Sequence, residues 1–240
     1  MSTGSPTEEG LITDGVTLIN YLTAGPLKIS PSRIVLMGQS LGTAVVAERF
    51  AFGSPDPKAI QPAINNAEPF AGVVLLASFG SVTSVIENYS LKGITPPMLS
   101  PLMGYPRFQR WVLSHIVDHW DTVGRVARLT GVESAEADAS GVKYTDKSLD
   151  LTIVHAMDDV EIPWYEGRRV WVAATGENIP GAPGGLTYHK VERDNPSEIK
   201  VWKNPVSSEV LKTVRWERVG HGGMSRNALV LIHQTNRISL

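Results

Sequence analysis

Apolar residues recur along the chain in two rhythms. Leu11, Ile12, Val16, Ile19 and Leu22 fall three to four positions apart, the spacing of one face of a helix. Ser5-Pro6-Thr7-Glu8 precedes them as a capping box with proline at the first helical position, and Gly25-Pro26 ends the pattern. Residues 33–37 then form a short apolar run, the signature of a strand buried in a parallel sheet, and residues 41–52 return to the helical rhythm. The connection 53–69 is rich in proline and asparagine, and a second buried strand is expected at 72–77.

The alternation loosens from 78 to about 150. Helical pieces at 82–89 and 108–119 flank a proline-rich run, 95–106, and an acidic, small-residue tract follows at 133–150. Regularity returns with a strand at 151–154, a helix at 165–174, a glycine- and proline-rich loop at 176–208, a strand at 210–219 and a helix at 227–236. Strand-then-helix order predicts an α/β fold, a mostly parallel sheet with helices on both faces. The chain reads as a single domain, 1–240, with a lid or cap insertion at 78–150. No internal repeat is visible.

Composition narrows the picture. With 240 residues, 42% of them hydrophobic, the chain is long enough for a substantial core. A formal charge of -2 lacks the basic excess of a nucleic-acid binder. Zero cysteines exclude a disulfide framework, a thiolate metal site and a cysteine nucleophile. No stretch approaches the roughly 20 apolar residues of a membrane span, and the N-terminus has no signal-peptide pattern.

The chemistry centres on Gly38-Gln39-Ser40-Leu41-Gly42, which joins the strand at 33–37 to the helix at 41–52. That context makes it a nucleophile elbow, a sharp turn that pushes the Ser40 hydroxyl above the sheet edge, with both glycines expected to relieve collisions. A serine hydroxyl needs a histidine to take its proton, and the histidine needs a carboxylate to orient it. Asp158 and Asp159 follow the strand at 151–154, and His221, in Val219-Gly220-His221-Gly222-Gly223, follows the strand at 210–219. Serine, acid and histidine thus appear in the order of the α/β-hydrolases, each after a strand. The alternative for the two aspartates is capping of a turn, and for His221 an ordinary loop histidine.

The segment His155-Ala156-Met157-Asp158-Asp159-Val160-Glu161-Ile162-Pro163 resembles the H-G-x-x-D-x-x-V-P stretch that holds the acid in many α/β-hydrolases, and its aspartate falls on Asp159. Gly4-Ser5-Pro6-Thr7-Glu8, Gly38-Gln39-Ser40-Leu41-Gly42-Thr43 and His155-Ala156-Met157-Asp158-Asp159 further resemble the membrane-associated monoacylglycerol and lysophosphatidylserine lipases. Those share G-x-P-[ST]-E, G-x-S-L-G-[TS] and H-A-E-D-D-P-V-V-P. The resemblance implies a serine esterase or lipase with Ser40 as nucleophile, Asp159 as acid and His221 as base. It also implies the Leu41 amide as an oxyanion donor. Monoacylglycerol or lysophospholipid-like esters are the implied substrates, with peripheral membrane contact and no cofactor.

The chain also departs from that family. Only 39 residues precede Ser40, so the family's first four strands, with the loop that supplies a second oxyanion donor, have no counterpart. The chain resembles family strands five to eight. The strand at 33–37 is then expected to form an exposed edge open to self-association. A rival expectation follows: a catalytically impaired remnant that acts as an interaction module.

Other residues complete the candidate site. Gln39 beside the nucleophile, and Met98, Leu102 and Trp111 from the insertion, are candidates for an adaptable substrate wall, with ordinary packing as the alternative. His115-Ile116-Val117-Asp118-His119 spaces two histidines four apart on a helix, as in an inverted zinc motif, but marks no third ligand, so no metal is expected.

Overall fold

The apolar runs become the centre of a six-stranded sheet. β1 (Val35–Gln39), β2 (Gly72–Leu76), β3 (Leu149–Ala156) and β6 (Leu211–Val219) lie parallel in that spatial order, and β5 (Glu198–Pro205) and β4 (Gly185–Val191) extend the sheet antiparallel beyond β6. The fold is therefore α/β with a mostly parallel, mixed sheet. The computed structural model describes residues 7–52, 69–88, 105–113, 115–132, 148–182, 184–191, 197–208 and 210–220.

Register decides where the strands end. Gln39 stands opposite Leu76, Leu76 opposite Val154, and Val154 opposite Glu217. β1 and β2 end at the first two of these residues, and β3 and β6 run two residues further, so the four carboxyl ends share one edge.

Among the described residues six helices accompany the sheet: α1 (Glu8–Thr23), α2 (Leu41–Phe52), α3 (Val82–Asn88), α4 (Pro106–Leu113), α5 (Thr122–Thr130) and α6 (Trp164–Thr175). Ala47 of α2, Val126 and Leu129 of α5, and Val170, Trp171 and Ala174 of α6 pack on Leu75, Leu151, Ile153, Val214 and Trp216 in one core. Full burial of such side chains stabilises by about 1.5–3 kcal/mol each. Helical cover is expected on both faces, yet α2 and α6, which make the main sheet contacts among the described helices, both belong to this one face. The opposite face carries a smaller cluster, Val74, Leu76, Val154 and Val219. Within the stretch 78–150, α5 belongs to the sheet-facing helix layer. Among the described residues no helix is long and apolar enough to cross a membrane.

Among the described residues β1 has one sheet neighbour, and its Val35 and Met37 are 47% and 52% exposed. The expected strand edge is thus present. The expected loop at 176–208 instead contains β4 and β5. Its charged residues hid the pattern because they are buried as pairs. Lys200 Nζ donates to Glu177 Oε1 at 3.1 Å, and Trp216 Nε1 donates to Glu198 Oε2 at 3.3 Å. Burial pushes the Glu198 carboxyl up, but the His189 hydrogen bond, Lys200, the Trp216 bond and Arg218 outweigh it and leave it below the usual range.

Two further expectations change. α1 is capped by Thr7 rather than Ser5: the Thr7 hydroxyl accepts from Gly10 N at 3.1 Å, and Glu8 and Glu9 occupy the first turn. The helix expected at 108–119 ends at Leu113. The expected helix at 227–236, the proline-rich run at 95–104 and the acidic tract at 133–147 lie outside the described residues.

Glu8 links elements distant in sequence. Its carboxylate pairs with buried Arg125 of α5 through Oε1 and accepts from Trp120 N at 3.2 Å, while Arg125 Nη1 donates to Ala44 O of α2 at 3.4 Å. One carboxylate therefore ties α1 to the layer that carries the elbow helix. Glu8→Ala leaves Arg125 without this partner and should cost on the order of 2–3 kcal/mol in urea unfolding. An unchanged midpoint would show that the pair is merely tolerated.

Candidate active site

The carboxyl edge is assembled by backbone hydrogen bonds that step from strand to strand. Ser40 N donates to Leu76 O at 3.0 Å, Ala77 N to Val154 O at 3.0 Å, and Met157 N to Val219 O at 2.9 Å. Each residue that leaves a strand is thereby pinned to the end of the next. Gln39, Ser40, Leu41 and the turn after β3 that carries Asp159 are brought to this one edge.

Ser40 has φ +51°, a left-handed conformation that a serine adopts only when its surroundings impose it. Thr43 supplies part of that imposition: its amide and its hydroxyl both donate to Ser40 O, at 2.9 and 2.6 Å, and its side chain is fully buried. Gly38 supplies the space, since a Cβ there would sit 2.3 Å from Gly42 O. Gly42 behaves differently from expectation, because a Cβ there meets no described atom within 4 Å. The elbow therefore requires one of its two glycines. Leu41 opens α2, so its amide has no intrahelical acceptor. Gln39 is the last residue of β1, and its side chain is exposed.

Asp159 is held by its own turn. Its Oδ1 accepts from Glu161 N at 3.0 Å and from Ile162 N at 2.9 Å, and its side chain is 17% exposed. The capping role considered for the two aspartates is thus filled at Asp159, while the Asp158 side chain is exposed. Capping and orienting a histidine are compatible, since a carboxylate has a second oxygen.

His155, buried beneath this turn, is a site residue that sequence reasoning used only as a motif position. Its Nε2 lies 2.7 Å from Ile162 O and 3.8 Å from Asp159 Oδ2, and Nδ1 is buried with no hydrogen-bond partner. Leaving a polar atom so costs about 1–3 kcal/mol. Burial pulls the His155 pKa below its ordinary value, against the opposing effects of the Ile162 carbonyl, Asp159 and Glu166. Glu166, wholly buried, accepts from Gly80 N at 3.1 Å and Ser84 Oγ at 2.8 Å, joining α6 to the loop after β2. In that loop Ala77 has φ +47°, and the buried Ser78 hydroxyl makes no hydrogen bond. Neither feature has a sequence signal.

The remaining candidates fall elsewhere. Trp111 is 56% exposed on α4, stacked on Phe108 at 5.4 Å and edge-on to His115 at 4.5 Å. His115 lies in the turn beyond α4 and bonds to Trp111 O, so His115 and His119 share no helix face. No group of three His, Asp or Glu among the described residues is placed to hold a metal. His221, Met98 and Leu102 lie outside the described residues; Gly220, the last described residue of its segment, leaves β6 beside β3 at the same edge.

No protein-family model matches the chain, and no curated protein does. Among solved structures, that of Rv0554 from Mycobacterium tuberculosis aligns with a TM-score of 0.35 and 15% identity, covering 71% of this chain and 62% of that one. The chain therefore spans less than two thirds of that protein's length, and so low a likeness carries no argument about function.

Two outcomes follow from this geometry. Gly38→Ala should destabilise by on the order of 3 kcal/mol, because the colliding atom is backbone, whereas Gly42→Ala should stay within about 1 kcal/mol of wild type. Equal effects in thermal unfolding would refute the asymmetry. The second concerns pH. With the folded pKa of His155 below its unfolded value of about 6.5, the unfolded chain binds a proton there that the folded chain refuses. Stability from this group is complete above pH ~6.5 and declines as pH falls toward the folded value. Urea midpoints at pH 7.5 and 5.5 should show that fall, and His155→Gln should reduce it; an identical slope in the variant would contradict it.

Proposed function

We propose that the chain is a serine hydrolase of the carboxylester or lipase type, in the α/β-hydrolase superfamily. The observation that carries this reading is Ser40 in a left-handed turn between β1 and α2. A protein keeps a strained non-glycine residue at such a turn only if its surroundings over-determine it, and functional sites are where that occurs. In the proposed reaction His221 takes the Ser40 proton as Oγ attacks the ester carbonyl, and the Leu41 amide stabilises the oxyanion. The alcohol departs with the proton from His221. Water, activated by the same histidine, then releases the acid and frees Ser40. Asp159 orients the imidazole and stabilises its charged form.

The proposed substrates are monoacylglycerol or lysophospholipid-like esters, on the sequence resemblance, with Gln39, Met98, Leu102 and Trp111 as the contact surface and peripheral membrane contact as the setting. The reaction calls for no cofactor. A fluorophosphonate probe should label wild type and not Ser40→Ala; equal labelling of the two would remove Ser40 as nucleophile. His221→Ala should reduce labelling on the order of a thousandfold, because the serine loses its base.

The β1 edge favours a second reading, pairing with another copy. Ile34 to Ser40 contains no charged residue, and Val35 and Met37 are exposed there, whereas β4 at the other edge carries His189, Lys190 and an irregular register. Light scattering after size exclusion should find a dimer that Met37→Lys converts to monomer. A wild-type monomer would dismiss this reading.

A further inference from the structure

We propose that His155 is the positioning residue for the acid turn: its Nε2–H, bonded to the Ile162 carbonyl, fixes the residue whose amide holds Asp159. This deepens the hydrolase reading and rests on it for the role of Asp159. A hydrogen bond to a carbonyl at 2.7 Å requires the proton on Nε2, so Nδ1 carries the lone pair and is the atom left unpartnered. Histidine is thus retained at a buried position where half of its polarity is wasted. What it supplies there is the donor to Ile162.

The contact is made twice over at the same residue. Ile162 O accepts from His155, and Ile162 N donates to Asp159 Oδ1. A shift of the imidazole therefore reaches the carboxylate through one residue. The helix above is cut to fit the ring: a Cβ at Gly167 of α6 would stand 2.5 Å from Nδ1 and 3.2 Å from the Trp216 ring. Glycine inside a helix is unfavourable, so here too local stability is given up for the position of His155. The ionisable groups around the ring are Asp159 in the turn and Glu166 on α6, with Arg218 of β6 opposite in register.

Glutamine carries its amide nitrogen near the level of Nε2, while asparagine stops near the level of Nδ1. The variants His155→Gln, His155→Asn and His155→Phe in the full chain therefore separate donor position from bulk. Hydrogen exchange of the Glu161 and Ile162 amides reports the turn without requiring activity, and fluorophosphonate labelling of Ser40 reports its consequence. We expect His155→Asn and His155→Phe to lose protection at both amides and to label about tenfold or more slowly. His155→Gln should remain within about threefold of wild type in both. If phenylalanine prevents folding, the Gln–Asn comparison decides. Equal protection in Gln and Asn variants, or full protection in a folded Phe variant, would overturn the proposal. If wild type itself fails to label, the hydrolase reading falls, and exchange alone decides whether His155 positions the turn.

Discussion

Three backbone hydrogen bonds along the carboxyl edge, from Ser40 N, Ala77 N and Met157 N to carbonyls at or near the ends of the neighbouring strands, set the geometry on which the proposed chemistry depends. They act where parallel strands stop and side chains must begin to do different things. Because β1, β2, β3 and β6 end nearly level, each departing loop finds the next strand's carbonyl within reach. The elbow and the acid turn are therefore placed by the sheet rather than by contact with each other. Ligand sites of open α/β sheets lie outside the carboxyl ends of the strands.

Around that edge the chain accepts local penalties. Ser40 and Ala77 adopt left-handed backbone, Ser78 Oγ and His155 Nδ1 lack partners, and Gly167 places a glycine inside a helix. The core of Leu75, Leu151, Ile153, Val170, Trp171 and Trp216 opposes these costs from one side. Glu166 and Glu8 extend the support, each a carboxylate that joins elements distant in sequence.

Much of this was legible in the sequence because it rests on continuous apolar runs and on turn chemistry. Residues 41–52 appear as the helix α2, and the runs near 33–37, 72–77, 151–154 and 210–219 became strands with ends moved by a few residues. The edge position of β1 was legible as well. What escaped rests on long-range pairing. Lys200 and Glu198 make β5 look like a polar loop until Glu177, His189 and Trp216 are seen beside them. The need for Gly38 but not Gly42 depends on which backbone atom each faces, and spacing alone cannot tell them apart. His155 was visible as a motif letter, but its donor role depends on Ile162 returning over the ring.

The central claim is that Ser40, Asp159 and His221 converge on one edge as nucleophile, acid and base. A crystal structure of the phosphonylated chain measures this most directly, because an adduct draws the catalytic groups into their working positions. The expected result is phosphorus on Ser40 Oγ, with the His221 ring about 3 Å from both that oxygen and an Asp159 carboxylate oxygen. A folded adduct whose His221 ring lies out of hydrogen-bond reach of both would contradict the claim.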